Sequence, residues 1–238
     1  MTTTVATIDH RPFDSLGHAN HGWLDARHHF SFAGYHDPKR MGWGAIRVWN
    51  DDWIAAGAGF PPHPHRDMEI ITYVRGGAIS HEDSLGNRGR TQAGDVQVMS
   101  AGSGVRHSEF NAENEPTTIF QIWIEPTTRG GEPSWGARQF PRGERSGRLE
   151  VLASGFAEDA DALPIRAEAR VMGATLNAGE AVEHRVGEGR HAYLVPAQGT
   201  LRIDGEPVNA RDGVALHGGR TYRIEATTDA EIVLVDAV

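Results

Sequence analysis

Gly57-Ala-Gly-Phe-Pro-Pro-His63-Pro-His65-Arg-Asp-Met-Glu69 runs without a break into Ile70-Ile-Thr-Tyr-Val74 and then Gly76-Gly77. The second part is a short β-branched and aromatic run closed by a turn signal, which reads as a strand. The first part is extended too, because Pro64 lacks an N–H and suits an edge strand or an irregular extended segment. Alternate residues of an extended chain point the same way, so His63 and His65 offer two imidazoles to one point in space.

The same punctuation recurs outward from this stretch. Asp95–Met99, Thr118–Ile124, Tyr193–Val195, Thr200–Ile203 and Glu231–Val235 are strand-length apolar runs, and Gly86-Asn87, Asp204-Gly205 and Gly218-Gly219 supply turns between such runs. Helical periodicity over a dozen residues is hard to find. Runs about 10–15 residues apart suit a sandwich or small barrel, so the expectation is an all-β protein. Residues 126–148 are rich in Pro, Gly and Arg and poor in apolar residues, as in a connection between two units. The expected division is residues 1–126, a linker over 127–148, and residues 149–238. The halves also echo each other, Val74-Arg-Gly-Gly-Ala-Ile79 against Val195-Pro-Ala-Gln-Gly-Thr-Leu-Arg-Ile203.

Composition narrows the chemistry. The 238 residues contain no cysteine, which excludes disulfide scaffolds, thiolate metal sites, Fe–S clusters and cysteine nucleophiles. With 23 Lys+Arg against 32 Asp+Glu the formal charge is −9, which disfavours direct nucleic-acid contact built on a basic footprint. The first ten residues show neither a basic nor an apolar signal segment, and no apolar run approaches the ~18 residues of a membrane helix. The expectation is a cytoplasmic protein that engages no membrane.

Ten of the 13 histidines fall within the first 110 residues. Beyond His63 and His65, the stretch Met99-Ser-Ala-Gly-Ser-Gly-Val-Arg-His107-Ser-Glu109-Phe-Asn111 repeats the i, i+2 relation with His107 and Glu109. Taken alone, a His-Pro-His or a His-x-Glu reads as loop. Together they offer three imidazoles and a carboxylate, a donor set that suits Fe(II), Mn, Ni, Cu or Zn and leaves positions open for substrate.

Gly57-x5-His63-x-His65-x3-Glu69-x6-Gly76 reproduces the first cupin motif. Gly94, Ser100, Gly102, Gly104, His107 and Asn111 resemble the second, with Ser100 in place of proline and two extra residues before His107. The segments His28–Phe32, Met41–Gly44, Arg47–Asp52, Gly59–Glu69, His81–Asn87 and Gly94–Gly102 resemble the pirin family, in particular its short bacterial members that are called quercetin 2,3-dioxygenases. The match is dense over about residues 25–125. The resemblance implies a bicupin, two tandem cupin barrels, with the metal in the first. It implies His63, His65, His107 and Glu109 as ligands of one divalent transition metal, Fe(II) foremost, with Mn, Ni, Co, Cu or Zn as alternatives. Generic cupins take the carboxylate from the first motif, here Glu69; the pirin pattern points to Glu109. The implied reaction is CO-releasing cleavage of a flavonol such as quercetin by O2, with Glu109 as the catalytic base. The alternative is an iron-binding pirin that acts through protein partners without turnover. Bicupins of this length are expected to be monomers.

The second half has no His-x-His. Setting Gly199 on Gly76 puts Val186 and Glu188 where His63 and His65 stand, so this half reads as a metal-free cupin. His184, His191 and His217 then read as surface or packing residues, as do His10, His18, His21 and His36. His28 and His29 read as packing near the barrel mouth. Trp23, Trp43, Trp49, Trp53 and Trp123 read as core or lid. His81, Glu82 and Asp83 could form a second metal site, but the Gly86-Asn87 turn that follows favours a solvated strand end.

Overall fold

The computed structural model describes residues 8–238; residues 1–7, the greater part of the stretch read for a signal segment, lie outside the described residues. Among the described residues there is no α-helix, and 3-10 turns occur at Phe13–Ser15 and Arg142–Arg145. Among the described residues no helix is long and apolar enough to cross a membrane.

Two barrels of matching topology make up the chain. In the first, a seven-stranded sheet runs in the order Ser134–Arg138, Val96–Ser100, Glu69–Gly76, Thr117–Ile124, Ile46–Ile54, Leu24–His28, Gly17–Asn20. It faces a four-stranded sheet in the order Gly59–His65, Val105–Phe110, Ala78–Asp83, Arg88–Gln92. The second barrel repeats this. Its seven strands are Asp9–Arg11, Gly213–His217, His191–Gln198, Ala230–Ala237, Ala169–Leu176, Glu150–Ser154 and Leu163–Pro164, facing Ala181–Val186, Arg220–Ala226, Leu201–Ile203 and Glu206–Val208. This is the all-β bicupin that the resemblance implies.

The two large sheets pack against each other, so each is buried on both faces. In Thr117–Ile124, Phe120, Ile122 and Ile124 join a core shared with Tyr193, Val195, Val233 and Val235 of the second barrel. The alternate residues Gln121 and Trp123 point into the first barrel's cavity. Double burial explains why these strands read as continuous apolar runs rather than as a polar/apolar alternation. Ion pairs set within this interface fix how the barrels meet. Asp51 pairs with Arg75 of its own barrel and with Arg211 of the other, and buried Glu231 accepts from Arg142 at 2.8 Å and Arg145 at 3.0 Å.

Each large sheet takes its edge strand from outside its own barrel's run of sequence. Asp9–Arg11 pairs with Gly213–His217 in the second barrel. Ser134–Arg138, inside the segment expected to be a linker, pairs with Val96–Ser100 in the first. That segment also carries Arg142 and Arg145. A stretch poor in apolar residues can still be structural when its backbone completes a sheet edge and its cations are paired. The internal echo is a matching hairpin: Gly77 at φ 73° and Gly199 at φ 78° make the corresponding turns. Gly199 therefore matches Gly77 rather than Gly76. A side chain at Gly77 would approach Thr117 Oγ1 to 2.6 Å, so the turn needs glycine on both counts.

Candidate metal centre

Strand Gly59–His65 lies at the edge of the small sheet, where Pro61, Pro62 and Pro64 cost no ladder bonds on the open side. It pairs with Val105–Phe110 in a register that sets His63 opposite His107 and His65 opposite Val105. The register slips between His107 and Glu109. At that point Gly59 lies so close to Glu109 that an added Cβ would come within 2.3 Å of the Glu109 carbonyl oxygen.

The three imidazoles converge. His63 Nε2 lies 3.1 Å from His107 Nε2, and the donor atoms of His63, His65 and His107 all lie within 4.8 Å of one another. His63 Nδ1 donates to the Pro61 carbonyl at 2.8 Å, which leaves Nε2 with its lone pair free. With metal–nitrogen bonds of about 2.1 Å, two nitrogens at right angles on one ion sit about 3 Å apart, close to the spacing observed, so the residues present fit a divalent transition ion. Electrostatics favour the same state. Burial, then the neighbouring imidazoles of His63 and His81, push His107 down to about 3. Burial, then His107 and His63, push His65 down to about 4. Both rings are neutral at pH 7, the form that binds metal.

Glu109 is buried and lines the same cavity as the triad. Gln97 Nε2 donates to its Oε1 at 2.7 Å and Gln121 Nε2 to its Oε2 at 2.6 Å. The Thr72 hydroxyl lies 2.9 Å from Glu109 Oε1 and 3.1 Å from Gln121 Oε1. The carboxylate is thus held from two sides beside the triad. Glu69 is placed elsewhere: it accepts from Ser100 Oγ at 2.5 Å and is not among the residues lining this cavity.

The cavity above the triad has a volume of about 630 Å³, within the range of small-molecule sites. Its walls include Phe32, Tyr35, Phe60, Ile70 and Trp123, and Trp123 sits edge-on to His65 with centroids 4.9 Å apart. Polar groups are few. His28 Nδ1 and Asn50 Oδ1 are 2.8 Å apart. Asp52 is buried with one oxygen unpartnered, and burial, then the charges of Asp51 and Glu109, push its carboxyl well above the usual range. The protonated form that burial favours would give Asp52 a donor as well as an acceptor.

Other positions differ from their sequence reading. His81 and Asp83 are buried, with side chains 1% and 0% exposed, so this is no solvated strand end; only Glu82 between them faces water. Trp53 is 37% exposed because Asp52 and Ile54 on either side of it point inward. His28 lines the cavity, whereas His29 lies between the barrels against Tyr193. In the second barrel His184 stands opposite Tyr222 as His63 stands opposite His107, two residues from the position given by the glycine alignment. Its Nε2 is tied to Asp236 at 2.8 Å. His191 and His217 pack against Trp43.

Thr72, Gln97, Gln121, Asp52 and Trp135 went unread in the sequence. Gln121, alone among apolar neighbours in Ile119-Phe-Gln-Ile-Trp-Ile124, was the available signal of a polar interior.

Residues 9–124 match the pirin family and residues 151–237 match the quercetinase C-terminal cupin domain. A pirin-like protein of Caulobacter vibrioides is 64% identical over 97% of this chain and 99% of its own. The chain belongs to the pirin family. A quercetin 2,3-dioxygenase of Escherichia coli is 40% identical over 95% of this chain and 96% of its own. The crystal structure of the E. coli pirin YhhW in complex with nickel(II) superposes with a TM-score of 0.91 at 39% identity, covering 97% of this chain and 99% of that one.

Proposed function

We propose that this pirin is a metal-dependent dioxygenase that cleaves flavonols such as quercetin, using one divalent transition metal held by His63, His65, His107 and Glu109. The observation that carries this is the convergence of three imidazoles on one point of an aromatic-walled cavity that the anchored Glu109 carboxylate also lines. Relatives named as quercetin 2,3-dioxygenases and the nickel(II) complex of a family member support it. The bound metal would act as a Lewis acid that lowers the pKa of a coordinated hydroxyl.

The chain's own residues do the rest. Glu109, anchored by Gln97, Gln121 and Thr72, takes the proton of the flavonol 3-hydroxyl at a carboxylate oxygen. Phe60, Tyr35 and Trp123 supply apolar surface that fits flat aromatic rings and excludes water. Asp52 and the His28–Asn50 pair can bond phenolic oxygens. A cavity open to small molecules favours this reading over one confined to protein contacts.

Oxygen uptake with quercetin tests it, using protein loaded in turn with Fe(II), Mn, Ni, Co, Cu or Zn. At least one form should turn over well above free metal, and His63→Ala should abolish that rate. Failure of every metal form to exceed free metal would end the flavonol assignment.

A further inference from the structure

One polar group in the cavity wall has no partner in the folded chain. Asp52 lines the cavity and is 2% exposed. Its Oδ1 is buried without a hydrogen-bond partner, and among the described residues no ion pair reaches the carboxyl. Its neighbour Asp51 shows the contrast, because that side chain is held by Arg75 and by Arg211 of the other barrel.

The row in which Asp52 stands is otherwise apolar. Across the large sheet Ala19 pairs with Ala26, Ala26 with Asp52, Asp52 with Ile119 and Ile119 with Val74. Counted from the matching turns, the second barrel sets Ala174 beside Ile232 where the first sets Asp52 beside Ile119. Ala174 is part of that barrel's aliphatic core. The scaffold thus folds with alanine at this place, whereas a buried carboxyl left without a partner costs stability. A group of this kind is explained when a ligand entering the site supplies the missing bond.

Asp52 stands at one end of the cavity and the triad at the other. Trp123 sits against His65, and Ile119 pairs with Asp52. The two are four residues apart on Thr117–Ile124, about 13 Å along an extended chain. Gln121, midway between them, donates to Glu109. A flavonol whose 3-hydroxyl meets the metal and Glu109 fits this length with an outlying ring against Ala19, Leu24 and Ala26, all of which line the cavity. A hydroxyl on that ring then reaches Asp52. A phenolic hydroxyl both donates and accepts, so it satisfies the carboxyl in either charge state. An aromatic carboxylate would instead set a further negative charge against Asp52 and Glu109, which is unfavourable.

We infer that Asp52 is a specificity-determining residue that recognises a phenolic hydroxyl at the end of the ligand remote from the metal, so that polyhydroxylated flavonols are selected over 3-hydroxyflavone. This rests on the flavonol reading above and names which flavonols the site takes.

Calorimetric titration under nitrogen reads binding without turnover. Nickel(II)-loaded wild type should bind quercetin about 10- to 100-fold more tightly than 3-hydroxyflavone, the same ring system without the other hydroxyls. In Asp52→Ala that ratio should fall about tenfold, whereas Asp52→Asn, which still bonds a hydroxyl, should keep it within about threefold of wild type. The urea midpoint of flavonol-free Asp52→Ala should equal or exceed that of wild type, because no native bond is lost. An unchanged ratio in Asp52→Ala would overturn the inference, since a group that only shapes the cavity moves both affinities together. A destabilised or unfolded Asp52→Ala would also overturn it by giving the carboxyl a structural role. Wild type that binds 3-hydroxyflavone as tightly as quercetin would overturn it and leave the flavonol reading standing. Wild type that binds neither compound would overturn both.

Discussion

The two barrels share a strand order but not an interior. In the first, one row across the large sheet runs Gln97, Thr72, Gln121, Asn50, each paired with the next. Anchored on the matching turns at Gly77 and Gly199, the same row of the second barrel is Val214, Leu194, Leu234, Met172. On the small sheet, Glu109 pairs with His81 in the first barrel and Ile224 with Ile203 in the second. His107 corresponds to Tyr222. Backbone hydrogen bonding is therefore indifferent to what fills the barrel. An aliphatic row gives a closed core, each Leu or Val contributing about 1.5–3 kcal/mol by burial. A polar row in which Gln97, Thr72 and Gln121 each bond Glu109 holds a carboxylate in place and leaves a cavity open. One scaffold thus carries a closed aliphatic core in one copy and a polar-lined cavity in the other.

Exchanging residues between these rows breaks the comparison most severely in one direction. Leu234→Gln buries an amide among Met172, Leu194 and Val214 with no partner. It should cost about 4 kcal/mol in urea unfolding, with nickel(II) affinity in the first barrel unchanged. The reverse change, Gln121→Leu, removes one donor from Glu109. It should cost about 1–3 kcal/mol and lower quercetin turnover at least tenfold while the metal is retained, which steady-state oxygen uptake separates from unfolding.

Acid should sharpen the contrast. His65 and His107 titrate near 4 and 3 in the folded chain, below the ~6.5 of an unfolded histidine. The unfolded state therefore binds more protons below pH ~6.5, and stability present above that pH is lost as pH falls toward the folded values. The metal-free protein should lose several degrees of Tm between pH 7 and pH 4.5. His65→Ala/His107→Ala should flatten that slope. The mildest change is His184→Ala, which cuts a part-exposed bond to Asp236. It should cost about 1 kcal/mol and leave metal content untouched.

Much of this was legible in the sequence. The strands Glu69–Gly76 and Thr117–Ile124 were visible because double burial writes them as unbroken apolar runs. The i, i+2 spacing of His63 and His65 survived folding because an edge strand keeps a two-residue period. The borrowed edge strands were not legible, since Asp9–Arg11 meets Gly213–His217 across some 200 residues with nothing local to announce it. His81-Glu-Asp83 misled for a different reason. Pattern reading equates inward with apolar, and here inward is polar: His81 and Asp83 alternate with exposed Glu82 as any half-buried strand does, but against a polar barrel interior. Glu69 and Glu109 likewise differ in a way that no local pattern announces: Glu69, on the large sheet, accepts from Ser100 away from the cavity, whereas Glu109, on the small sheet, lines it.

The most direct measurement is the metal content of purified protein loaded with nickel(II). Wild type should hold about one ion per chain, and His63→Ala, His65→Ala and His107→Ala should each fall to background while remaining folded. Full stoichiometry in those variants, or a second ion retained by the aliphatic barrel, would contradict the assignment of the metal to the first barrel alone.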